Sequence, residues 1–349
     1  MSITLEQLLK GSLLGKRDGD DAVAADAGAR AQPLLSLVAP ARASKAPLPD
    51  GQRRSRRPVC RTRYVDATFE SDEGSRDYRL YGPVVPTDGQ PSLIVMLHGA
   101  GQDHTDFALA TRMHESASCC GAYVVYPAQA KKDNPAQAWN WFRDFDQQRG
   151  QGEPAILAAM TREIVAEYDI DPRRVYVAGL SAGAAMAVVL GRAYPDVFAA
   201  VGAHSGLPYK AASNVYAAFD AMARGPSGAD VASEPGGIPT IVFHGDRDTT
   251  VHPRNATAIV EQALGSRVDD VATAAASKRT DDMGERAYTT TVFRDPKGRT
   301  IAEQWVVHDA EHTWSGGAAT PHSDPRGPDA SAEMLRFFQS HRLEPRRAR

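Results

Sequence analysis

The chain has 349 residues, 42% of them hydrophobic and 24% charged, with a formal net charge of −3. This composition describes a soluble globular protein able to bury a sizeable core, and gives no overall charge reason to expect nucleic acid. No apolar run reaches the length of a membrane span, and the three cysteines, Cys60, Cys119 and Cys120, make neither a disulfide framework nor spaced zinc pairs.

Residues 1–58 are rich in Ala, Gly, Asp, Arg and Pro with little periodicity, which predicts a disordered leader or linker ending in the basic cluster GQRRSRRPVCRTR. The opening MSITLEQLLKGSLLGKRDGDD lacks a basic region followed by a continuous apolar core, so no ordinary secretory signal is read there. With so few cysteines, a reducing, cytoplasmic compartment is expected. Order is expected from about Arg63. Tyr64–Phe69 and Asp77–Tyr81 alternate as strands around the turn SDEGS, and Ser92–Leu97 is a continuous apolar run of the kind buried on both faces of a sheet. A small-residue turn, His98 to Gln102, follows it. Asp106–Ala117 reads as one helix and Ala122–Tyr126 as the next buried strand.

Trp139-Asn140-Trp141-Phe142 then stands in a polar loop, either propping that loop against the core or lining a cleft. Glu153–Tyr168 has helical spacing. From Arg174 a short apolar strand runs into Gly179-Leu-Ser181-Ala-Gly183 and then a small-residue helix, Ala184–Tyr194. Ala199–His204 and Ile238–Phe243 are further buried strands; Val215–Met222, Asn255–Leu264 and Ala330–Ser340 are helices. Residues 206–237 read as a lid or a plain crossover. Ala287–Arg294 and Thr300–His308 form a hairpin, and residues 342–349 a charged tail. Strands alternating with helices over residues 59–341 predict one α/β catalytic domain with a doubly wound, mostly parallel sheet.

Strand–G-x-S-x-G–helix is the context of a nucleophile elbow. The turn is too tight for side chains beside the serine, and the following helix points unpaired N–H groups at a developing negative charge. A serine hydroxyl needs a histidine to take its proton and an acid to orient that histidine. In α/β-hydrolase sheets these follow in the order Ser, acid, His, each beyond the carboxyl end of a strand. Ser181, Asp248 and His312 satisfy that order, with Asp246 and His308 as rivals. The oxyanion donors expected are the N–H groups of Ala182 and Ala100, with Gly101 as the alternative to Ala100. Gly101, Gln102, Trp139, Trp141 and Trp314 are the candidate substrate-binding residues. His98 and His244 precede glycines at strand ends and read as structural. No metal-ligand cluster, nucleotide-phosphate loop or other cofactor motif is found.

Several segments together resemble the poly(3-hydroxybutyrate) depolymerase family of esterases, with its feruloyl and acetylxylan esterase relatives: LHGAGQ (97–102), WNWF (139–142), GEP (152–154), RVYVAGLSAGAAMA (174–187), YPDVFAAVGAHSGLPY (194–209), HGDRDTTVHP (244–253), EHTWSGG (311–317) and DPRGPDASAEMLRFF (324–338). The resemblance spans about residues 62–340. It implies an α/β-hydrolase fold, the triad Ser181, Asp248 and His312, and carboxylic-ester hydrolysis through an acyl-enzyme. Short-chain 3-hydroxyalkanoate esters or oligomers are the first choice of substrate, with feruloyl or acetylxylan esters next and a serine peptidase of the same fold as a further alternative. Family members commonly carry cysteine where this chain has Ala100 and Ala138, so the resemblance implies a lost cross-link and fits a reducing compartment. The match includes no separate polymer-binding domain. No nucleic-acid or membrane partner is expected, and no oligomeric state is implied.

Overall fold

The computed structural model of the chain describes residues 62–84, 89–226, 237–278 and 285–344. The leader 1–58, part of the 206–237 segment and the end of the charged tail lie outside them. Ten strands form one sheet: β1 (Thr62–Ser71), β2 (Gly74–Pro83), β3 (Ser92–Leu97), β4 (Ala122–Pro127), β5 (Val175–Leu180), β6 (Ala200–His204), β7 (Thr240–Gly245), β8 (Ala272–Lys278), β9 (Tyr288–Arg294) and β10 (Thr300–Val307). Their order across the sheet is β1-β2-β4-β3-β5-β6-β7-β10-β9-β8. From β4 to β10 all neighbours are parallel, and an antiparallel hairpin closes each edge. The helices are α1 (His104–Thr111), α2 (Met113–Ser118), α3 (Gly152–Glu167), α4 (Ala182–Ala193), α5 (Val215–Arg224), α6 (Arg254–Leu264) and α7 (Ala330–Gln339).

The apolar strands explain the layering. Every residue of β3 is buried, with Leu93, Val95 and Leu97 in one core and Ile94 and Met96 in the other. A strand with helices over both faces must be apolar on both. The first core takes side chains from α3, α4, α5 and α6, and the second from α1, α2 and α7. On the second face Tyr176 of β5 and Phe338 of α7 stack at 4.9 Å. The doubly wound, mostly parallel sheet is as expected. Leu343, in the charged tail, donates its N–H to Arg173 O at 2.9 Å.

Three features differ from expectation. The single helix over 106–117 is two helices, broken at Arg112, whose φ of 50° is left-handed. The break leaves Thr111 O open to the hydroxyl of Ser331 on α7, at 2.7 Å. Strand β8 has no apolar alternation to announce it; pairing with β9 makes it a strand. Cys119 is disulfide-bonded, whereas Cys120 is free and exposed. No helix among the described residues is long and apolar enough to cross a membrane.

The loop after β4 is held by a buried polar network. Glu153, at the start of α3, accepts the Asn140 N–H at 2.8 Å, the Asn140 amide at 2.6 Å, and the amide of Gln129. Gln129 in turn receives Arg76, which is almost wholly buried, pairs with Asp133 at 3.2 Å and lies over the Trp139 ring. Buried polar groups must find partners, so these contacts set the path of residues 129–142. Burial, reinforced by nearby Asp146 and opposed by Arg76, pushes the Glu153 carboxyl up to about 7 from its ordinary 4.5. The folded chain therefore holds this proton more tightly than the unfolded chain. The group's stabilisation is complete below about pH 4.5 and is lost as pH climbs through about 7. The Tm of the parent should fall relative to that of Glu153→Gln as pH rises from about 4.5 to about 7.5; thermal unfolding that leaves the difference constant would contradict the shifted carboxyl.

Candidate active site

Ser181 sits between β5 and α4 with φ 57° and ψ −121°, a conformation rare for any residue with a side chain. The strain is held from both sides: Ser181 N–H donates to His204 O at 2.9 Å, and Ala185 N–H donates to Ser181 O at 3.0 Å. A Cβ on Gly179 would run into the Gly183 backbone, and one on Gly183 into Leu97 O. Both glycines of the motif are therefore required by close backbone approach. The sharp turn presents Ser181 at the wall of a cavity of about 240 Å³.

Asp248 follows β7. Its side chain is buried, and Oδ1 accepts the N–H groups of Thr250 at 2.9 Å and Val251 at 2.8 Å. Its Oδ2 lies 2.7 Å from His312 Nδ1 and 3.3 Å from His244 Nε2. Burial opposes ionisation, but the hydrogen bonds from His244 and His312 outweigh it and hold the Asp248 carboxyl well below the usual range. With Nδ1–H directed at Asp248, the other nitrogen of His312 is left free to accept a proton. His312 and Ser181 line the same cavity, and no hydrogen bond joins them in this structure.

The rivals pair with each other instead. Asp246 Oδ2 lies 2.8 Å from His308 Nδ1, and Asp246 Oδ1 accepts the Asp309 N–H at 2.7 Å. His308 Nε2 lies 2.9 Å from Thr289 Oγ1, and neither Asp246 nor His308 borders the cavity. Chain order alone allows both pairs, but the strand ends aim them at different places.

Ala100 and Ala182 both line the cavity, and neither N–H has a partner among the described residues. Gly101 does not line it, and its N–H is committed to Ala136 O at 2.9 Å, which removes it as the alternative donor and as a substrate contact. Gln102 and Trp141 border the cavity. Trp139 does not: fully buried, its indole N–H donates to His98 O at 3.0 Å, so it braces the turn from behind. Trp314 is also a correction. It is fully buried, stacked 5.1 Å from His204 and edge-on to Phe107, and it anchors the segment carrying His312 rather than facing the cavity. Ser315 N–H donates to His204 Nε2 at 2.9 Å, on the far side of the same anchor.

His98 is structural by its contacts. Nδ1 meets Gly99 O at 2.8 Å and Nε2 accepts the Gln129 N–H at 3.0 Å; burial lowers the ring to about 4, so it is neutral. His244 is likewise buried, with Nε2 2.8 Å from Val251 O, and it adds a second imidazole beside Asp248. His204, which no sequence motif marks, is also buried, and burial lowers its ring to about 3. Much of the cavity wall likewise lies outside the residues that sequence motifs mark. Val215, Ala218, Phe219 and Met222 present one face of α5 to the cavity beside Phe142 and Leu207, and Thr249, Thr250, Glu311, Thr313 and His322 add polar groups. The spacing of the α5 residues marks an apolar stripe, but a stripe does not say whether core or cavity covers it. Among the described residues, no group of three or more His, Cys, Asp or Glu side chains is arranged to hold a metal ion.

A sequence model of the family described as "Esterase PHB depolymerase" matches residues 76–288, more than half of the chain. Ser181 and Asp248 fall within the match and His312 beyond it. Poly(3-hydroxyalkanoate) depolymerase C of Paucimonas lemoignei is 38% identical over 233 residues, covering 63% of this chain and 54% of its own length. A feruloyl esterase B of Neurospora crassa is 28% identical over 226 residues, covering 59% of this chain and 74% of its own length. The chain thus spans about half the length of the depolymerase it matches. Among solved structures, an acetyl xylan esterase from Aspergillus awamori superposes with a TM-score of 0.62 at 17% identity, covering 80% of this chain and 99% of that one, a likeness of fold. With its parallel core sheet and strained serine turn, this chain has the α/β-hydrolase fold and belongs to the PHB depolymerase family of esterases.

Proposed function

We propose that the chain is a serine carboxylic-ester hydrolase that works through an acyl-enzyme. The observation that carries this reading is the 2.7 Å contact between buried Asp248 and His312, at the cavity that Ser181 also lines. In the proposed reaction, Ser181 Oγ attacks the ester carbonyl while His312 Nε2 takes its proton. The oxyanion is received by the N–H groups of Ala182 and Ala100, and α4 adds the positive end of its dipole. His312 then gives the proton to the departing alkoxide. A water molecule, activated by the same nitrogen, cleaves the acyl–serine bond and releases the acid. Asp248 keeps the proton on Nδ1 and stabilises the imidazolium without itself being protonated.

Short-chain 3-hydroxyalkanoate esters or their oligomers are the proposed substrates, in keeping with the depolymerase relative. Feruloyl esters form a second reading, favoured by the apolar wall of Trp141, Phe142 and Phe219, which suits a flat aromatic acyl group. Turnover of 3-hydroxybutyrate oligomers, feruloyl esters and acetylated xylan under one set of conditions separates the readings. The highest kcat/KM should fall on the oligomers, and a clear preference for feruloyl esters would replace the first reading by the second.

Ser181→Ala should lower kcat on p-nitrophenyl butyrate by roughly a millionfold with folding intact, as removal of a triad nucleophile does; undiminished turnover would refute the assignment. His312→Ala should be about as severe. His308→Ala, which breaks a half-exposed pair with Asp246 and a contact with Thr289, both away from the cavity, should stay within about threefold of the parent. The reverse pattern would transfer the base to His308.

A further inference from the structure

We propose that Gln102 is a positioning residue that presets the Ala100 N–H as an oxyanion donor before any substrate arrives. The inference rests on the esterase reading and goes beyond it by naming what aims the donor.

Between Gly99 and Gln102, three of the four N–H groups are committed. Gly99 N–H donates to Gln102 Oε1 at 2.8 Å, Gly101 N–H to Ala136 O at 2.9 Å, and Gln102 N–H to Gly99 O at 3.2 Å. Only the Ala100 N–H has no partner among the described residues, and Ala100 lines the cavity with Ser181. Gln102 thus grips Gly99 twice. Its side chain holds the peptide unit before Gly99, and its main chain holds the unit after it.

That second unit contains both Gly99 C=O and Ala100 N–H. A trans peptide is planar, so its C=O and N–H point in opposite directions. Gly99 O is drawn back by Gln102 N–H and by His98 Nδ1, at 2.8 Å. The Ala100 N–H is therefore turned away from those groups. An oxyanion donor works by being aimed in advance, since a loop that reorients during the reaction gives up most of the benefit.

The chemistry of Gln102 also fits this role better than space-filling. The residue is 2% exposed, and its buried Nε2 has no partner among the described residues. An apolar side chain of the same volume would fill that space and leave no orphaned donor. What an apolar side chain lacks is the acceptor for Gly99 N–H. A Cβ on Gly99 would stand 2.8 Å from Gln102 Oε1, so glycine at this position leaves the amide oxygen room to reach the Gly99 N–H.

The test is Gln102→Met, which keeps the volume and removes the acceptor. It is read by steady-state hydrolysis of p-nitrophenyl butyrate and by affinity for a trifluoromethyl ketone, which adds to a serine as a tetrahedral oxyanion. We expect kcat to fall roughly 10- to 100-fold, KM to stay within about twofold, and inhibitor affinity to fall by the same factor as kcat. A kcat within threefold of the parent, a loss carried by KM, or a loss of kcat with unchanged inhibitor affinity would each overturn the proposal. If Gln102→Met does not fold, Gln102→Asn, one methylene too short to reach Gly99, takes its place with the same expectations. Ser181→Ala measured alongside separates the two levels: turnover there sinks the esterase reading itself, whereas a dead Ser181→Ala beside a fully active Gln102→Met sinks only the inference about Gln102.

Discussion

A buried carboxylate with two imidazoles is the interaction on which the arrangement depends. Asp248 has no solvent to share its charge, so every lone pair must be answered by the protein. Thr250 and Val251 answer one oxygen through the backbone, and His312 and His244 answer the other. Two consequences follow. The loop after β7 is folded around its own aspartate, and the segment after β10 is drawn in by His312, so a pair of residues 64 positions apart is held in register.

The register works because both segments leave the sheet at the same edge. β10 lies parallel to β7, and β7 to β6, so their carboxyl ends emerge together beside the end of β5. His204, at the end of β6, joins these pieces: its carbonyl holds Ser181, its Nε2 holds Ser315, and its ring stacks on Trp314. One neutral, buried histidine thus ties the serine turn to the segment bearing His312. Its burial lowers it far below neutrality, so the tie does not titrate in the physiological range.

A second support lies on the other side of the serine. Glu153, Asn140, Gln129 and Arg76 hold the loop that contains Trp139 and Trp141. Trp139 in turn meets His98 from behind while Trp141 faces the cavity. The two tryptophans are alike in the sequence and opposite in use. Residues two apart share a face only when the segment is a regular strand. Here the loop path is irregular, so periodicity carries no information about which ring meets substrate.

The sequence by itself determined the layered fold, the serine turn, and the chain order in which an acid and a histidine follow it. Apolar strands such as SLIVML announce burial on both faces, and G-x-S-x-G between a strand and a small-residue helix marks a turn that only glycine can flank. These are local properties of the chain, written in composition and spacing. Tertiary structure decided what depends on direction. It separated Asp248 and His312 from Asp246 and His308, turned Trp139 and Trp314 inward, committed the Gly101 N–H to Ala136, and brought one face of α5 to the cavity. The reason is physical: a sequence states which groups a chain can offer, but which group meets which is settled only when distant strands pack and each buried polar atom takes the nearest partner of the right kind.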